Sequence, residues 1–247
     1  MFKYIFLGIA QGLTEFFPVS SSAHLVILGR ILQITDGALA LAVVLHLGTA
    51  LALLVFFFRD ILRLLRSVRQ LLLIALVTLL TGAVALSGKD FFEKLFASPR
   101  AAALGLLVTA AVIFLTKFFS AGKKERLGVK EAAALGLAQG IAVVPGISRS
   151  GITISALLFL GIERQEAFRF SFIAAIPAIF GAALFEAKRI DFAIAGQPAE
   201  FITGFLCSFF SGLAALWLLK YVIRKARLHY FAVYCMIAAL LTLILVK

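Results

Sequence analysis

The sequence predicts an all-α integral membrane protein, built as an inverted repeat of two re-entrant helix hairpins and six full transmembrane helices. Of its 247 residues, 63% are hydrophobic and only 15% are charged, and the mean hydropathy is +1.09. Soluble domains are about 45–50% apolar and about 25% charged, so this composition is typical of a chain that faces lipid. Two further observations support the prediction: the apolar residues form long stretches, and polar loops interrupt two of these stretches.

Six apolar stretches are each long enough for a helix to cross a hydrocarbon core of about 30 Å. They are residues 38–58, 70–87, 101–119, 167–187, 200–219 and 230–246. Cys207 and Cys235 lie inside two of them without metal-ligand spacing, and we interpret both as core residues that form no disulfide. We expect no cleavable signal sequence, because the first apolar stretch leads into further membrane sequence.

Two other apolar stretches are interrupted near their middle. Residues 2–34 are broken by the segment 18–24, and residues 132–160 are broken by the segment 145–151. Each stretch has roughly 30 residues, which is too short for two crossings and a turn. Polar backbone at membrane depth is tolerated only where protein buries it or water reaches it. We therefore predict two re-entrant helix-loop-helix hairpins.

The basic residues predict the orientation. The net charge is +12, and the basic side chains concentrate in the segments 59–69, 117–131 and 220–229 between apolar stretches. Lys and Arg accumulate in the cytoplasmic loops of membrane proteins, so we place these segments in the cytoplasm and predict no nucleic-acid partner. The first hairpin then enters from the outer face and the second from the cytoplasm, and both termini lie outside.

Each half of the chain, 1–119 and 120–247, is predicted to hold one hairpin and three spans, so an odd number of crossings inverts the second half. Gln11 to Pro18 aligns with Gln139 to Pro145 after one gap, and serines follow each proline. Inverted repeats with broken helices bind their ligands near the bilayer midplane, where the broken helices meet. Architecture alone is also typical of a secondary transporter.

The first hairpin contains candidate metal ligands and an anion site. Gln11 and Glu15 are four residues apart on one helix face, where their oxygens suit Mg²⁺ or Ca²⁺ with substrate phosphates completing the shell. Alternatively, Glu15 forms an ion pair with Arg149, and metal binding and ion pairing are compatible. The polar residues at the tip precede a half-helix, whose N-terminus attracts anions; they are Ser20, Ser21, Ser22 and His24. His24 is a candidate to activate a hydroxyl, to attack phosphorus or to protonate a leaving oxygen.

The second hairpin contains a candidate phosphate clamp. Arg149 offers a planar fork of donors that matches phosphate oxygens and stabilises transition-state charge. Gly146 and Gly151 allow close backbone approach. The hydroxyls predicted to bind substrate beside them are Ser148, Ser150 and Thr153.

Three other polar residues of the apolar stretches are weaker candidates. His46 either lines the cavity or hydrogen-bonds a neighbouring helix. Gln139 mirrors Gln11 and is expected to be either a relic of the repeat or a group that pairs helices. Arg169 is expected to extend towards the cytoplasmic surface.

At the two loops the sequence resembles the undecaprenyl-pyrophosphate phosphatase family of bacteria, also known as the bacitracin-resistance proteins. The matching stretches are QGLTEFFPVSSSAHL (11–25) and PGISRSGIT (145–153), supported by LHLGT (45–49) and FSFIAAIPAIFGA (170–182). The likeness covers nearly the whole chain. Gln11 replaces the more common Glu, and Ser22 and Ala23 stand where Thr and Gly are usual.

The resemblance implies a phosphatase that converts undecaprenyl pyrophosphate to the monophosphate carrier for cell-wall precursors, which gives bacitracin tolerance. It implies a bacterial cytoplasmic membrane protein whose active site opens outward. Gln11 and Glu15 match the positions tied to the divalent cation and catalysis, and Ser21 and His24 match the catalytic Ser and His. The second motif, which binds pyrophosphate, is matched by Ser148, Arg149 and Thr153.

The sequence leaves several alternatives open. The nucleophile is Ser21, His24 or water. A lipid flippase and a phosphate transporter are the rival functions. The oligomeric state, a homodimer included, is not determined by these patterns.

Overall fold

A computed structural model of the chain describes residues 1–32, 37–96, 98–119, 122–187 and 198–245. The described part is almost wholly helical, with an isolated β-bridge between Lys124 and Ile162. The helices are α1 (Phe2–Phe16), α2 (Ser21–Ile31), α3 (Ala38–Phe56), α4 (Phe58–Leu65), α5 (Val68–Ser87), α6 (Lys89–Phe96), α7 (Pro99–Leu115), α8 (Val129–Ile141), α9 (Arg149–Phe159), α10 (Arg164–Ala187), α11 (Pro198–Arg224) and α12 (Tyr230–Leu245). A 3-10 turn, Thr116–Phe118, extends α7. The predicted all-α class is confirmed.

Five helices are long and apolar enough to cross a membrane: α3, α5, α7 with its 3-10 turn, α10 and α11. The predicted membrane class is therefore confirmed, and each of these five helices coincides with one of the predicted spans. The sixth, α12, has 16 residues in the described part of the chain and at 1.5 Å per residue reaches only about 24 Å. Residue 246, the last of that predicted span, lies outside the described residues.

Two short amphipathic helices were not predicted. The basic segment after α3 was expected to be a loop, but most of it folds as α4, which contains Arg59 and Arg63. The break at Phe57 falls where charged residues begin, and the polar face of α4 is typical of a helix that lies along a membrane surface. The second such helix, α6, carries Asp90 and Lys94.

The two interrupted stretches fold as pairs of short helices, α1 with α2 and α8 with α9. These helices have 15, 11, 13 and 11 residues, so each is too short to cross the hydrocarbon core. The second pair begins at Val129, before the predicted residue 132, because Glu131 Oε2 accepts a hydrogen bond from the Gly128 amide at 2.9 Å. This contact satisfies one of the free N–H groups of the helix start. Residues 33 and 34 of the first predicted hairpin lie outside the described part.

Small residues hold each hairpin against a long helix of the other half. α1 packs on α11, and a Cβ added at Gly12 would lie 1.9 Å from Ser211 Oγ and 2.5 Å from the Ser208 carbonyl oxygen. α8 packs on α5, and a Cβ added at Gly140 would lie 2.6 Å from Val84 Cβ. Such close approach is how helices pack inside membranes. The positions of α1 on α11 and of α8 on α5 therefore depend on glycine contacts.

An aromatic cluster anchors the end of α1. Phe16 is fully buried, and its ring lies 5.7 Å from that of Phe172 on α10. Phe168 lies 5.1 Å from Phe172, centroid to centroid, and Phe57 packs on both. Edge and tilted ring contacts of this kind add specificity to apolar burial. Because Phe16 follows Glu15 directly, the cluster also fixes the position of that carboxylate.

Candidate active site

The tips of the two hairpins meet inside the protein. Arg149, the first residue of α9, donates a hydrogen bond from Nη2 to Glu15 Oε1 near the end of α1. The side chains are 17% and 7% exposed, respectively. Ser150 Oγ donates to the Phe17 carbonyl oxygen at 3.3 Å. The Glu15–Arg149 contact that the sequence left as an alternative is therefore present, and it joins the two halves of the chain.

Glu15 is surrounded by polar side chains from three helices. Its Oε2 accepts from Ser21 Oγ at 2.7 Å and from Gln11 Nε2 at 3.1 Å. His46 of α3 lies with Nε2 3.6 Å from the same oxygen. Ser20 adopts a left-handed conformation with φ of 64°, which turns the chain so that α2 begins at Ser21 beside the carboxylate. A buried charge needs such partners, because burying it alone is costly.

The second loop is shaped by a threonine of α7. Thr109 Oγ1 donates to the Gly146 carbonyl oxygen at 2.9 Å and accepts from the Ser148 amide at 2.8 Å. Gly146 has φ of 88°, and a Cβ there would lie 1.9 Å from the Ala102 carbonyl oxygen. The predicted close approach at Gly146 is thus to the backbone of α7. Ser148 Oγ accepts from the Gly151 amide at 3.2 Å and caps α9.

The remaining predicted residues of this hairpin lie in two places. Gly151 is at the contact between the tips, since a Cβ added there would lie 3.2 Å from Pro18 Cβ. Thr153 is fully buried and faces α10, where its hydroxyl lies 2.7 Å from Ser171 Oγ. It also donates to the Arg149 carbonyl oxygen at 2.7 Å. The contacts of Thr153 therefore support the helix that carries Arg149 and do not reach Glu15.

His24 lies on α2 against the last helix. Its Nδ1 is 2.8 Å from the Ser20 carbonyl oxygen, and because a carbonyl only accepts, Nδ1 carries the proton. In the neutral ring Nε2 then accepts from the Tyr234 hydroxyl, 2.6 Å away. The two rings are stacked, with centroids 5.7 Å apart. Near the Ser20 backbone, the hydroxyls of Ser20 and Ser22 are 3.1 Å apart.

Several residues at the site were missed by the sequence or only partly predicted. Tyr234, Thr109 and Ser171 had no local signal, since each is one polar group in an apolar stretch. His46 lines the site, which was one of its two interpretations. The helix-pairing role of Gln139 is confirmed, because its Nε2 donates to Thr81 Oγ1 at 3.2 Å between α8 and α5.

Arg169 turns towards Glu166, one turn nearer the start of α10. It donates from Nε and Nη2 to both carboxylate oxygens of Glu166, at 2.8 and 2.6 Å, and its predicted extension to the cytoplasmic surface stays a prediction. It lines two cavities of about 410 and 460 Å³ in the described part of the chain. Neither cavity is lined by a residue of the hairpin tips, so both lie apart from the Glu15–Arg149 contact.

The oxygens beside Glu15 fit a hard cation in part. Among the described residues, no group of three or more His, Cys, Asp and Glu side chains could hold a metal alone. However, Gln11 Oε1 is buried and has no hydrogen-bond partner, next to the Glu15 carboxylate. A free amide oxygen beside a carboxylate is the donor set of Mg²⁺ or Ca²⁺, which take further oxygens from substrate phosphates. The predicted Gln11–Glu15 metal site stays a prediction.

Comparison with known proteins covers almost the whole chain. Residues 4–241 match the family model described as "Bacitracin resistance protein BacA". An undecaprenyl-diphosphatase of Halothermothrix orenii is 40% identical, over 99% of this chain and 98% of that protein. One of Carboxydothermus hydrogenoformans is 38% identical over 99% and 97%, and one of Korarchaeum cryptofilum is 38% identical over 96% and 95%.

Proposed function

This chain belongs to the family of the bacitracin resistance protein BacA, and from that premise we propose how its two hairpins act. The protein is a membrane hydrolase, an undecaprenyl-diphosphatase, which converts undecaprenyl pyrophosphate to undecaprenyl phosphate and inorganic phosphate. Recycling of the lipid carrier for cell-wall synthesis and tolerance of bacitracin fit this activity. The transporter and flippase alternatives are not favoured.

The observation that carries the proposed site is the contact between Glu15 and Arg149 where the two half-helices α2 and α9 begin. Free backbone N–H groups and the positive ends of helix dipoles favour a bound anion there. A guanidinium has five N–H donors, so Arg149 can contact Glu15 and still offer donors to phosphate oxygens. A diphosphate between the loop tips would therefore meet cationic and N–H groups from both halves of the chain.

In the proposed reaction, Arg149 and the two helix starts stabilise the negative charge that grows on the transferred phosphoryl group. An oxygen or nitrogen nucleophile bonds to the terminal phosphorus, the bond to the bridging oxygen breaks, and undecaprenyl phosphate leaves. Ser21 is favoured as the nucleophile because its hydroxyl already donates to Glu15 Oε2 at 2.7 Å, which can take the proton. Water then releases the phosphate.

His24 and water are the other candidate nucleophiles. His24 Nε2 accepts from Tyr234 at 2.6 Å, so an attack by this nitrogen first requires the tyrosine hydroxyl to move. In the proposed roles, Ser20, Ser22, Ser148 and Ser150 bind or position the substrate near the tips, while Gly146, Gly151 and Thr153 shape the second loop.

A divalent cation, Mg²⁺ or Ca²⁺, belongs to this proposal. Glu15 and Gln11 would hold it. When bound it would neutralise phosphate charge, which makes the phosphorus easier to attack. The free Gln11 Oε1 supports this assignment, because a buried acceptor without a partner is otherwise unfavourable.

The finer topology is also proposed. The halves 1–119 and 120–247 form an inverted repeat with six spans, basic loops in the cytoplasm and a site open to the outer side. Two observations support it: α1 packs on α11 as α8 packs on α5, and Gly136, Gln139 and Gly140 repeat the spacing of Gly8, Gln11 and Gly12. Cysteines introduced in the three basic segments should be labelled only from the cytoplasmic side.

The test of the site uses purified protein in detergent with undecaprenyl pyrophosphate and Mg²⁺ or Ca²⁺. Arg149→Ala should lower kcat by about 10²–10³-fold, the usual loss when a transition-state donor is removed. Ser21→Ala should abolish turnover if the serine is the nucleophile and should spare it if water or His24 attacks. Arg63→Ala, whose side chain is 76% exposed on α4, is the control. Full phosphate release by Arg149→Ala would reject the site.

A further inference from the structure

His46 lies at the site, which was one of the two positions that the sequence allowed for it. It lies in the middle of α3, and its Nδ1 is 2.7 Å from the Ala42 carbonyl oxygen. Because this carbonyl can only accept, Nδ1 carries the proton, and the neutral ring has its lone pair on Nε2. That lone pair faces Glu15 Oε2 at 3.6 Å.

In the neutral ring, His46 Nε2 and Glu15 Oε2 are both acceptors, so a cation can bind between them. A distance of 3.6 Å between His46 Nε2 and Glu15 Oε2 is too long for a hydrogen bond. Two ligands that share one cation, each at about 2.1 Å, lie roughly 3.4 Å apart at a tetrahedral angle and roughly 3.0 Å apart at an octahedral angle. The observed gap is slightly wider than either value, so a small shift of one side chain would bring both atoms to the same metal ion.

A second observation at the same place is the unpaired oxygen of Gln11. Gln11 Oε1 is buried without a hydrogen-bond partner, while Gln11 Nε2 is 3.1 Å from the same Glu15 oxygen. Glu15 and Arg149 neutralise one another, so a divalent cation here gains most when the negative diphosphate arrives with it. The site then offers one nitrogen and two oxygen donors before any substrate oxygen is counted.

We propose that His46 Nε2 is a nitrogen ligand of the catalytic cation, together with Glu15 and Gln11, and that it gives this protein a preference for a transition metal such as Zn²⁺ over Ca²⁺. The inference rests on the proposed function and its cation site. Imidazole suits Zn²⁺, iron, copper and nickel, whereas Ca²⁺ takes oxygen ligands. A site with oxygens alone would show no such preference.

The test is spectroscopic and uses the whole protein in detergent. Mn²⁺ is bound together with methylenediphosphonate, which mimics the diphosphate and is not hydrolysed. Pulsed electron paramagnetic resonance should show the nitrogen modulation of a coordinated imidazole. This signal should disappear in His46→Ala and persist in His229→Ala, whose imidazole lies in the turn before α12.

Affinity measurements separate ligation from a structural effect. Removal of a ligand should weaken Zn²⁺ binding at least about tenfold in His46→Ala, while Ca²⁺ binding in the same variant should change less than about threefold. His46→Gln, which replaces the ring nitrogen by an amide, should also lose the nitrogen signal. An equal loss of affinity for both metals would assign His46 a packing role and overturn the inference.

Two further outcomes decide between this inference and the proposed function. Wild-type protein that binds Mn²⁺ without a nitrogen signal, or that loses the signal only in His24→Ala, would overturn the role of His46, while phosphate release would leave the phosphatase intact. Wild-type protein that releases no phosphate with any divalent cation would instead overturn the proposed function.

Discussion

Replacement of Arg149 by alanine should destabilise the protein as well as inactivate it. Glu15 is 7% exposed and Arg149 17% exposed, so removal of the guanidinium leaves a buried carboxylate without its charged partner. Breaking a buried pair in this way costs about 3–5 kcal/mol. Glu15 keeps its bonds from Ser21 at 2.7 Å and Gln11 at 3.1 Å, which places the expected loss near the lower end, about 3 kcal/mol.

The measurement is thermal unfolding of purified protein in detergent. For a chain of this size about 1 kcal/mol corresponds to roughly 2–4 °C, so Arg149→Ala should melt roughly 6–12 °C below wild type. Glu15→Gln removes the negative charge that Arg149→Ala leaves buried without a partner. The double variant Arg149→Ala/Glu15→Gln should therefore be more stable than the sum of the single losses predicts, by at least about 1.5 kcal/mol.

Arg63→Ala is the control. Arg63 pairs with Asp60, three residues away on the same helix, and the Arg63 side chain is 76% exposed. Such exposed local pairs contribute less than about 1 kcal/mol. If Arg149→Ala melts within about 2 °C of wild type, or if the two site variants are additive, the buried-pair explanation is refuted.

Three other predictions concern the second loop and the cation. Thr109→Val should lower the free energy of unfolding by about 1–3 kcal/mol, because the Gly146 carbonyl and the Ser148 amide lose their buried partner. Thr109→Ser keeps the hydroxyl and should melt near wild type. Equal thermal unfolding midpoints for the two variants would contradict the role of these hydrogen bonds. Gly146→Ala should fail to fold or should melt far below wild type, because the added Cβ would lie 1.9 Å from the Ala102 carbonyl oxygen. In Gly181→Ala on α10 the added Cβ meets nothing within 4 Å, so this variant should be neutral or stabilised by up to about 1 kcal/mol. Equal thermal unfolding midpoints for the two variants would show that the loop rearranges freely. Removal of divalent cations by a chelator should lower phosphate release at least about a hundredfold, restored by adding the metal back, and unchanged release in the chelator would eliminate the cation from the proposal.

The membrane class and the hairpins could be predicted from the sequence because both follow from the hydropathy of long segments. An interrupted apolar stretch of about 30 residues cannot form two crossings, and this constraint needs no knowledge of packing. The pairing of Gln11 with Glu15 was also accessible, since residues four apart on a helix share a face. Hydropathy did not predict the amphipathic helix α4, because its charged residues resemble a cytoplasmic loop.

The residues that contact the two hairpin tips could not be predicted from the sequence, because they lie on helices that are distant along the chain. Tyr234 is 210 residues from His24 along the chain, and Thr109 is 39 residues from Ser148. A single hydroxyl in an apolar helix has no periodicity that marks what it faces. Thr153 illustrates the same limit: its place in the motif suggested a substrate contact, whereas packing turns it towards Ser171 on α10.

The ion pair between Glu15 and Arg149 has a consequence for the synthesis and membrane insertion of the chain. The two residues are 134 positions apart, so a ribosome that adds about 5–20 residues per second separates their synthesis by roughly 7–27 s. During that interval the first hairpin has neither its guanidinium partner nor the glycine surface of α11 on which it packs. Because burying an unpaired charge is costly, we expect the first hairpin to reach its final position only after the later helices have been made. Chains truncated before Arg149 would lack this partner permanently.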